Sequence, residues 1–269
     1  MFIGLLVALV LLFLVFLFMI APKKDQSVNK FTKVKYAHRG LHNEKRAENS
    51  MSAFLAAVRI GYGIELDVRL SKDGKLVVFH DDTLDRVCGV EGKVSDFTAK
   101  ELAKFSLSGT GEGIPLFTDV LAAVNGRVPL LVEIKESGVN TDTAEAVCEV
   151  MKHYKGLYLI ESFSPFALRV VKKRMPEVNR GILSFRYIGY TKYAKLPYLL
   201  LQLLMFNFIC RPSFIAFDHR SPRSLGLVLV RAIFKVPTFA WTVCSQEEDD
   251  LAHKNGFNTV IFEKYCPKP

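Results

Sequence analysis

From residue 34 onward, short apolar runs alternate with amphipathic stretches, and this alternation constrains the fold more than any other feature. VKYAHRG, IELDVRL, KLVVFHD, PLLVEIKE, LYLIESF, GILSF, FIAFDH, TFAWTV and TVIFEK read as strands. Helical patterns stand between most of them. NSMSAFLAAVRIG is predicted to be a helix with Asn49 or Ser50 as N-cap and Gly61 as its stop. TDVLAAVNG, TDTAEAVCEVMKHY, SPFALRVVKKRMP, an apolar stretch over 194–208, SPRSLGLVLVRAIF and QEEDDLAHKNG follow. Strands separated by helices imply a parallel sheet, because parallel neighbours need crossover connections. About eight such units, the third interrupted by a Gly-rich stretch, predict closure into a TIM (β/α)8 barrel. The 269-residue length agrees with one such domain. No GxGxxG or P-loop follows the first strand, which disfavours a nucleotide-binding doubly wound sheet.

Before this domain, residues 2 to 21 run FIGLLVALVLLFLVFLFMIA without a charge. A helix of that length spans about 30 Å, the thickness of a hydrocarbon core. A cleaved signal peptide is the competing reading, but the segment has no basic leader and is long for one. The chain is therefore expected to divide into a transmembrane anchor over 1–22, a linker over 23–33 and a catalytic domain over 34–269. Lys23, Lys24, Lys30, Lys33 and Lys35 follow the apolar run, so the positive-inside rule places the domain on the cytoplasmic side of a single-pass membrane protein.

The formal net charge of +9 suits anionic lipid or an anionic substrate. Nucleic acid is not expected as a partner, since no basic helix or Arg-rich run with interleaved aromatics occurs. Cys88, Cys148, Cys210, Cys244 and Cys266 are odd in number, widely spaced and without a CxxC, so neither a disulfide framework nor a zinc site is expected.

In a parallel barrel the active site forms at the C-terminal edge of the strands. His38 and Arg39 end the first run, Glu65 and Asp67 lie in the second, His80 ends the third, and Glu133 and Lys135 end the fourth. Glu65 and Asp67 are two apart on a strand and so face the same side. Charged groups facing a barrel interior are costly unless paired or metal-bound. Three carboxylates without thiolates suit one hard divalent cation, Mg²⁺ or Ca²⁺. An internal salt-bridge cluster with Arg39, Arg69 and Lys135 is the alternative. His38 and His80 are candidates for general acid and base on a phosphodiester, where Arg39 and a metal would offset phosphoryl charge.

The stretches AHRG, AENS, IELDVRLSKDGKLVVFHDDTLDR and VEIK, with IPLFTDVL after them, resemble the glycerophosphodiester phosphodiesterase family over nearly all of residues 34 to 265. The resemblance implies a TIM barrel with a small inserted subdomain at about 81–115. It implies metal ligation by Glu65, Asp67 and Glu133, acid–base roles for His38 and His80, and phosphate contacts from Arg39 and Lys135. Trp241 and Phe163 would line the side that receives glycerol or the leaving group. The glycerol hydroxyl would attack first, and water would open the resulting cyclic phosphate to give glycerol 3-phosphate and an alcohol. Val87 and Cys88 stand where the family often has threonines, which bears on substrate choice rather than on the metal set.

YLLLQLLMFNFI, residues 198 to 209, is apolar nearly all round. It is either an interfacial helix that helps the enzyme take lipid-like diesters, or a helix covered by another part of the protein. Substrates are thus glycerophosphodiesters or, in a lysophospholipase D-type variant, lysophospholipids of the bilayer. A non-catalytic binding protein of the same fold would have lost a ligand or a histidine, and none is lost. The sequence sets no oligomeric state.

Overall fold

The computed structural model describes residues 2–136, 138–188 and 195–267. Nine strands form one sheet: β1 (Tyr36–Ala37), β2 (Gly63–Leu70), β3 (Leu76–Val78), β4 (Leu130–Ile134), β5 (Tyr158–Ser162), β6 (Arg180–Ser184), β7 (Phe214–Asp218), β8 (Thr238–Val243) and β9 (Thr259–Phe262). Eight of them run parallel in the order β1-β2-β4-β5-β6-β7-β8-β9, and β9 pairs back with β1 to close a barrel. The predicted TIM barrel is the observed one.

Period-two alternation sorts the side chains. Ile64, Leu66 and Val68 of β2, with Leu130, Val132 and Ile134 of β4, face the outer helices in the main core. Leu131, Leu159, Leu183, Ala216 and Ile261 fill the barrel with the rings of Tyr36, Phe214 and Phe239. Two glycines make room for those rings. A Cβ on Gly63 would lie 2.7 Å from Tyr36, and one on Gly181 would lie 2.1 Å from Phe214. Phe239 stacks on both aromatics, at 5.8 Å from Tyr36 and 4.6 Å from Phe214. Residues 23–33, expected as a linker, carry the 3₁₀ helix Gln26–Lys33, whose Val28 and Phe31 are buried against this interior cluster.

The third sequence run departs from expectation. β3 pairs antiparallel with β2, Val68 opposite Val78, and is not a barrel strand. The cause is the short SKDG connection, which allows a hairpin but no parallel crossover. β3 thus opens the insertion, which an isolated Val77–Leu116 bridge closes. The insertion has its own small core, including Phe79, Leu84, Val94, Leu102 and Ile114.

Ser50 caps helix Met51–Ile60 by accepting from Ala53 N, and Gly61 ends it at φ +91°. The apolar stretch after β6 is not one helix. Leu196–Gln202 and Asn207–Cys210 are separated at Leu204, whose φ is +59°, and the predicted start at residue 194 lies outside the described residues. Helix Phe2–Ile20 is long and apolar enough to cross a membrane, a test that a signal sequence also passes. Its C-terminal end is fastened to the barrel: Asn207 Nδ2 donates to Ile20 O at 2.8 Å, and Arg211 Nη1 donates to Phe18 O and Ala21 O at 2.9 Å each. All five cysteines are free thiols.

Candidate active site

β2 and β4 are in register so that Asp67 faces Glu133. Glu65, Asp67 and Glu133 are buried, and one carboxylate oxygen of each lies within 4.8 Å of the others. Asn49 holds Asp67 by donating from Nδ2 to Oδ2 at 2.7 Å. The amide of Arg39, held at φ +54°, donates to Glu65 Oε2 at 2.8 Å. Lys135 Nζ lies 2.9 Å from Asp67 Oδ1 and 2.6 Å from Glu133 Oε1.

This charge arrangement is unbalanced. Burial, then Asp67 and Glu133, pushes the Glu65 carboxyl well above the usual range. Burial likewise raises Glu133 to about 7 against the pull of Lys135. Burial disfavours ionised Asp67 as well, but Lys135, His80 and Arg39 overcome it and hold the group low. Glu65 Oε1 is buried without a hydrogen-bond partner. Three converging oxygen donors, one of them orphaned, fit a hard divalent cation, which would cancel the repulsion that raises Glu65 and Glu133.

The two histidines flank this cluster. His38 follows β1, and its Nδ1 is 2.9 Å from Glu263 Oε2. His80 reaches the site by a different route from the one its sequence position suggests. It does not end a barrel strand; Phe79 N donates to Asp67 O at 2.9 Å, extending the β2–β3 hairpin to bring His80 alongside. Its Nδ1 is 2.5 Å from Asp81 Oδ1, and Arg69 donates twice to its carbonyl, at 3.0 and 2.8 Å. Burial lowers both imidazoles, His80 to about 4, although Glu263 opposes it at His38 and Asp67 opposes it at His80.

A cavity of about 90 Å³ brings together His38, Arg39, Glu65, His80, Glu133 and Lys135. Phe163 and Trp241 form its apolar wall, edge to face at 5.5 Å. Every site residue read from the sequence except Asp67 lines this space, and Asp67 is held directly behind it by Lys135 and Asn49. Four participants were not anticipated. Glu48 accepts from Arg39 Nη1 at 2.8 Å and is tied to Arg86. Asn49 and Glu263 orient Asp67 and His38, and Glu161 of β5 points a buried carboxyl at the cavity. Period-two alternation in LYLIESF was the available signal for Glu161. Glu48 and Asn49 lie in a loop without period.

Fold and geometry together define a TIM-barrel protein with a buried carboxylate triplet flanked by two half-buried histidines. The description "Glycerophosphoryl diester phosphodiesterase family" belongs to a family model that matches residues 38–265. The chain belongs to that family. A glycerophosphodiester phosphodiesterase from Caldanaerobacter subterraneus is 38% identical over 160 residues, covering 55% of this chain and 65% of that relative, just under two thirds of its length. A lysophospholipase D from Rattus norvegicus is 35% identical over 136 residues, covering 46% of this chain and 42% of the relative. The crystal structure of a Thermotoga maritima glycerophosphodiester phosphodiesterase superposes with a TM-score of 0.64 at 28% identity, covering 85% of this chain and 94% of that one. An Oleispira antarctica phosphodiesterase, solved with sn-glycerol-3-phosphate, shares the fold at a TM-score of 0.71 and 24% identity, covering 87% and 94%.

Proposed function

We propose that this chain hydrolyses glycerophosphodiesters to glycerol 3-phosphate and an alcohol at a membrane. One divalent cation, Mg²⁺ or Ca²⁺, would be held by Glu65, Asp67 and Glu133. The observation that carries the reading is the clustering of these three carboxylates at one small cavity that His38, His80, Arg39, Lys135, Glu65 and Glu133 line, with Asp67 behind it. When bound, the cation supplies charge neutralisation to the phosphoryl oxygens. Arg39 and Lys135 add fixed positive charge beside them.

Proton transfer falls to the histidines. Glu263 and Asp81 occupy their Nδ1 atoms, which leaves both Nε2 atoms as the working nitrogens. One takes the proton of the attacking glycerol hydroxyl, and the other gives a proton to the departing alkoxide. Water then opens the cyclic phosphate by the reverse traffic. The decisive experiment strips the protein of metal and assays glycerophosphocholine with and without added Mg²⁺ or Ca²⁺. Activity that survives both chelation and His38→Ala would sink this mechanism.

A lysophospholipase D-type reaction is favoured by one further observation. An open apolar groove of about 520 Å³ adjoins the cavity through Phe163 and continues along Phe166, Phe185, Tyr198, Leu201 and Phe206. It has the chemistry of an acyl-chain path, and the lysophospholipase D relative supports the same reading. Assaying lysophosphatidylcholine beside glycerophosphocholine separates the two. Helix Phe2–Ile20 supports attachment to the membrane, and the lysines after it favour a barrel on the cytoplasmic side. Protease protection of the barrel in sealed vesicles, where it is expected to be digested from the cytoplasmic face, tests that orientation.

A further inference from the structure

The end of the barrel opposite the active site holds a second cavity, of about 530 Å³. Ser213, just before β7, and Pro237, just before β8, line it, so it opens at the N-terminal edge of the strands. Lys23, Lys24 and Asp25 contribute from the N-terminal segment, and Ile233, Phe234 and Lys235 from the turn before β8. Lys23 is occupied within the protein, its Nζ lying 2.7 Å from Asp25 Oδ2 and donating to Pro176 O at 3.2 Å. Lys24 and Lys235 are exposed and make no ion pair among the described residues. The cavity thus carries two uncompensated ammonium groups beside the apolar side chains of Ile233 and Phe234.

Its position relative to the apolar helix is fixed. Pro22 lines the cavity, two residues beyond Ile20, where that helix ends. Two extended residues reach about 7 Å, and the headgroup layer of one leaflet is roughly 5–8 Å deep. Asn207 and Arg211 hold the carbonyls of Phe18, Ile20 and Ala21, and Lys23 N donates to Pro212 O at 2.8 Å. The cavity therefore cannot swing away from the level at which the helix ends. Charge points the same way. Arg180, 3% exposed, donates from Nε to Cys210 O at 2.6 Å, and Lys172 Nζ donates to Ile209 O at 3.2 Å. With Arg211 these cations meet carbonyl oxygens rather than carboxylates, so the surroundings of the helix end stay positive.

We propose that this cavity is a headgroup site for an anionic phospholipid, with Lys24 and Lys235 on the phosphate and Ile233 and Phe234 against the carbons next to it. The assignment rests on the membrane attachment proposed above and uses no group of the hydrolytic reaction. Lysines attract the phosphate of any phospholipid, but a choline or ethanolamine headgroup brings a cation that they repel, so an uncompensated pair selects the anionic lipid. Two surface lysines attract a bilayer too weakly to replace the helix as an anchor; they decide which lipid sits beside it.

The test takes full-length protein in detergent micelles doped equally with phosphatidylglycerol and phosphatidylcholine, and counts retained lipids by native mass spectrometry. Wild type is expected to keep one phosphatidylglycerol per chain, with a preference of about thirtyfold over phosphatidylcholine. Lys24→Gln combined with Lys235→Gln should bring the two lipids to within about threefold. Lys30→Gln combined with Lys33→Gln removes as much charge from outside the cavity and should keep the preference. Saturating glycerol 3-phosphate, directed at the active site, should leave the lipid in place, as should millimolar inorganic phosphate, which has no acyl chain. Absence of preference in wild type, equal losses in the two double variants, or displacement by either soluble phosphate overturns the assignment. Unchanged turnover of glycerophosphocholine shows that the Lys24 and Lys235 double variant is folded. Should it fail to fold, the two single changes, each expected to cost about fivefold in preference, decide the matter. Full-length protein that does not float with vesicles would bring down the membrane reading itself, whereas flotation with an unaltered preference in the double variant removes the headgroup site alone.

Discussion

Nδ1 of His38 lies 2.9 Å from Oε2 of Glu263, a contact between residues 225 positions apart. It joins the ends of β1 and β9, the strands whose pairing closes the barrel. The carboxylate accepts a hydrogen bond from Nδ1–H, which leaves Nε2 as the free ring nitrogen. His38 and His42 together hold Glu263 well below the usual carboxylate range, so it stays charged under the imidazole. Barrel closure and the state of the His38 ring are thus one structural event.

Glu263→Gln tests that link. Loss of the charge removes support for protonated His38, whose pKa burial already lowers, so the limb of the pH–rate profile set by His38 should move to lower pH. A fall in kcat of about ten- to a hundredfold is expected from the weakened proton transfer. Calorimetric affinity for Mg²⁺ or Ca²⁺ should be unaltered, because Glu263 stands outside the carboxylate triplet. Loss of cation affinity would contradict the assignment.

Cation binding should also stabilise the fold. With Glu65 and Glu133 both pushed upward by burial and neighbouring carboxylates, the metal-free protein carries repulsion that an ion removes. At a hundred times the dissociation constant, the gain is about 2.7 kcal/mol, or a Tm rise of roughly 5–10 °C. Glu65→Gln should raise the Tm of metal-free protein and abolish most of that gain. Differential scanning calorimetry with chelator and then with excess cation measures both.

Much of this centre was legible in the sequence, because strand period two puts Glu65 with Asp67 and Glu133 with Lys135. The same rule places Glu161 of LYLIESF on the inner face, and only its isolation from other charged residues hid it. His80 was found for an incomplete reason. Five residues between β2 and β3 forbid a parallel crossover, so His80 arrives on a hairpin rather than on a barrel strand. Asn49, Glu48 and Glu263 act through loop geometry and barrel closure, neither of which leaves a periodic trace.

Acid should destabilise the metal-free protein partly through His80. Burial lowers it to about 4 in the folded state, below the ordinary value of 6.5 that the unfolded chain restores. The unfolded state therefore binds more protons between these two values, so stability rises with pH and is lost as pH falls from 6.5 toward 4. Water at a side chain 31% exposed cuts the full linkage to about 1–2 kcal/mol. Urea unfolding of wild type and His80→Gln at pH 7 and pH 5 should show a shallower loss in the variant. Equal losses in the two proteins would clear His80 of the effect.

Gly181→Ala should damage the barrel floor without touching the site. Its Cβ would sit 2.1 Å from the Phe214 ring, which is wholly buried and stacks on Phe239. Overpacking of this kind costs about 2 kcal/mol or more. A Tm fall of roughly 4 °C or more follows for a domain of this size. If the soluble variant keeps its cation affinity, the damage is confined to the floor as expected.

Truncations can separate membrane attachment from folding, because helix Phe2–Ile20 changes character near its end. Leu5 through Val15 are exposed for the most part, whereas Ile20 is wholly buried in the main core and accepts the amide of Asn207. Arg211 grips the same end, over the Phe18 ring at 4.4 Å and on the carbonyl oxygens of Phe18 and Ala21. Removal of residues 1–17 should release the protein from membranes and leave hydrolysis of a soluble diester within about twofold, since no active-site group is touched. Removal of residues 1–20 deletes Ile20 as well and uncovers its seat, at a cost of about 2 kcal/mol. Flotation with vesicles and urea unfolding of the two truncations check the two halves of the claim. Equal stability of the truncations would mean that the end of the helix is only a tether, and persistent flotation of the shorter chain would place membrane contact on the barrel itself.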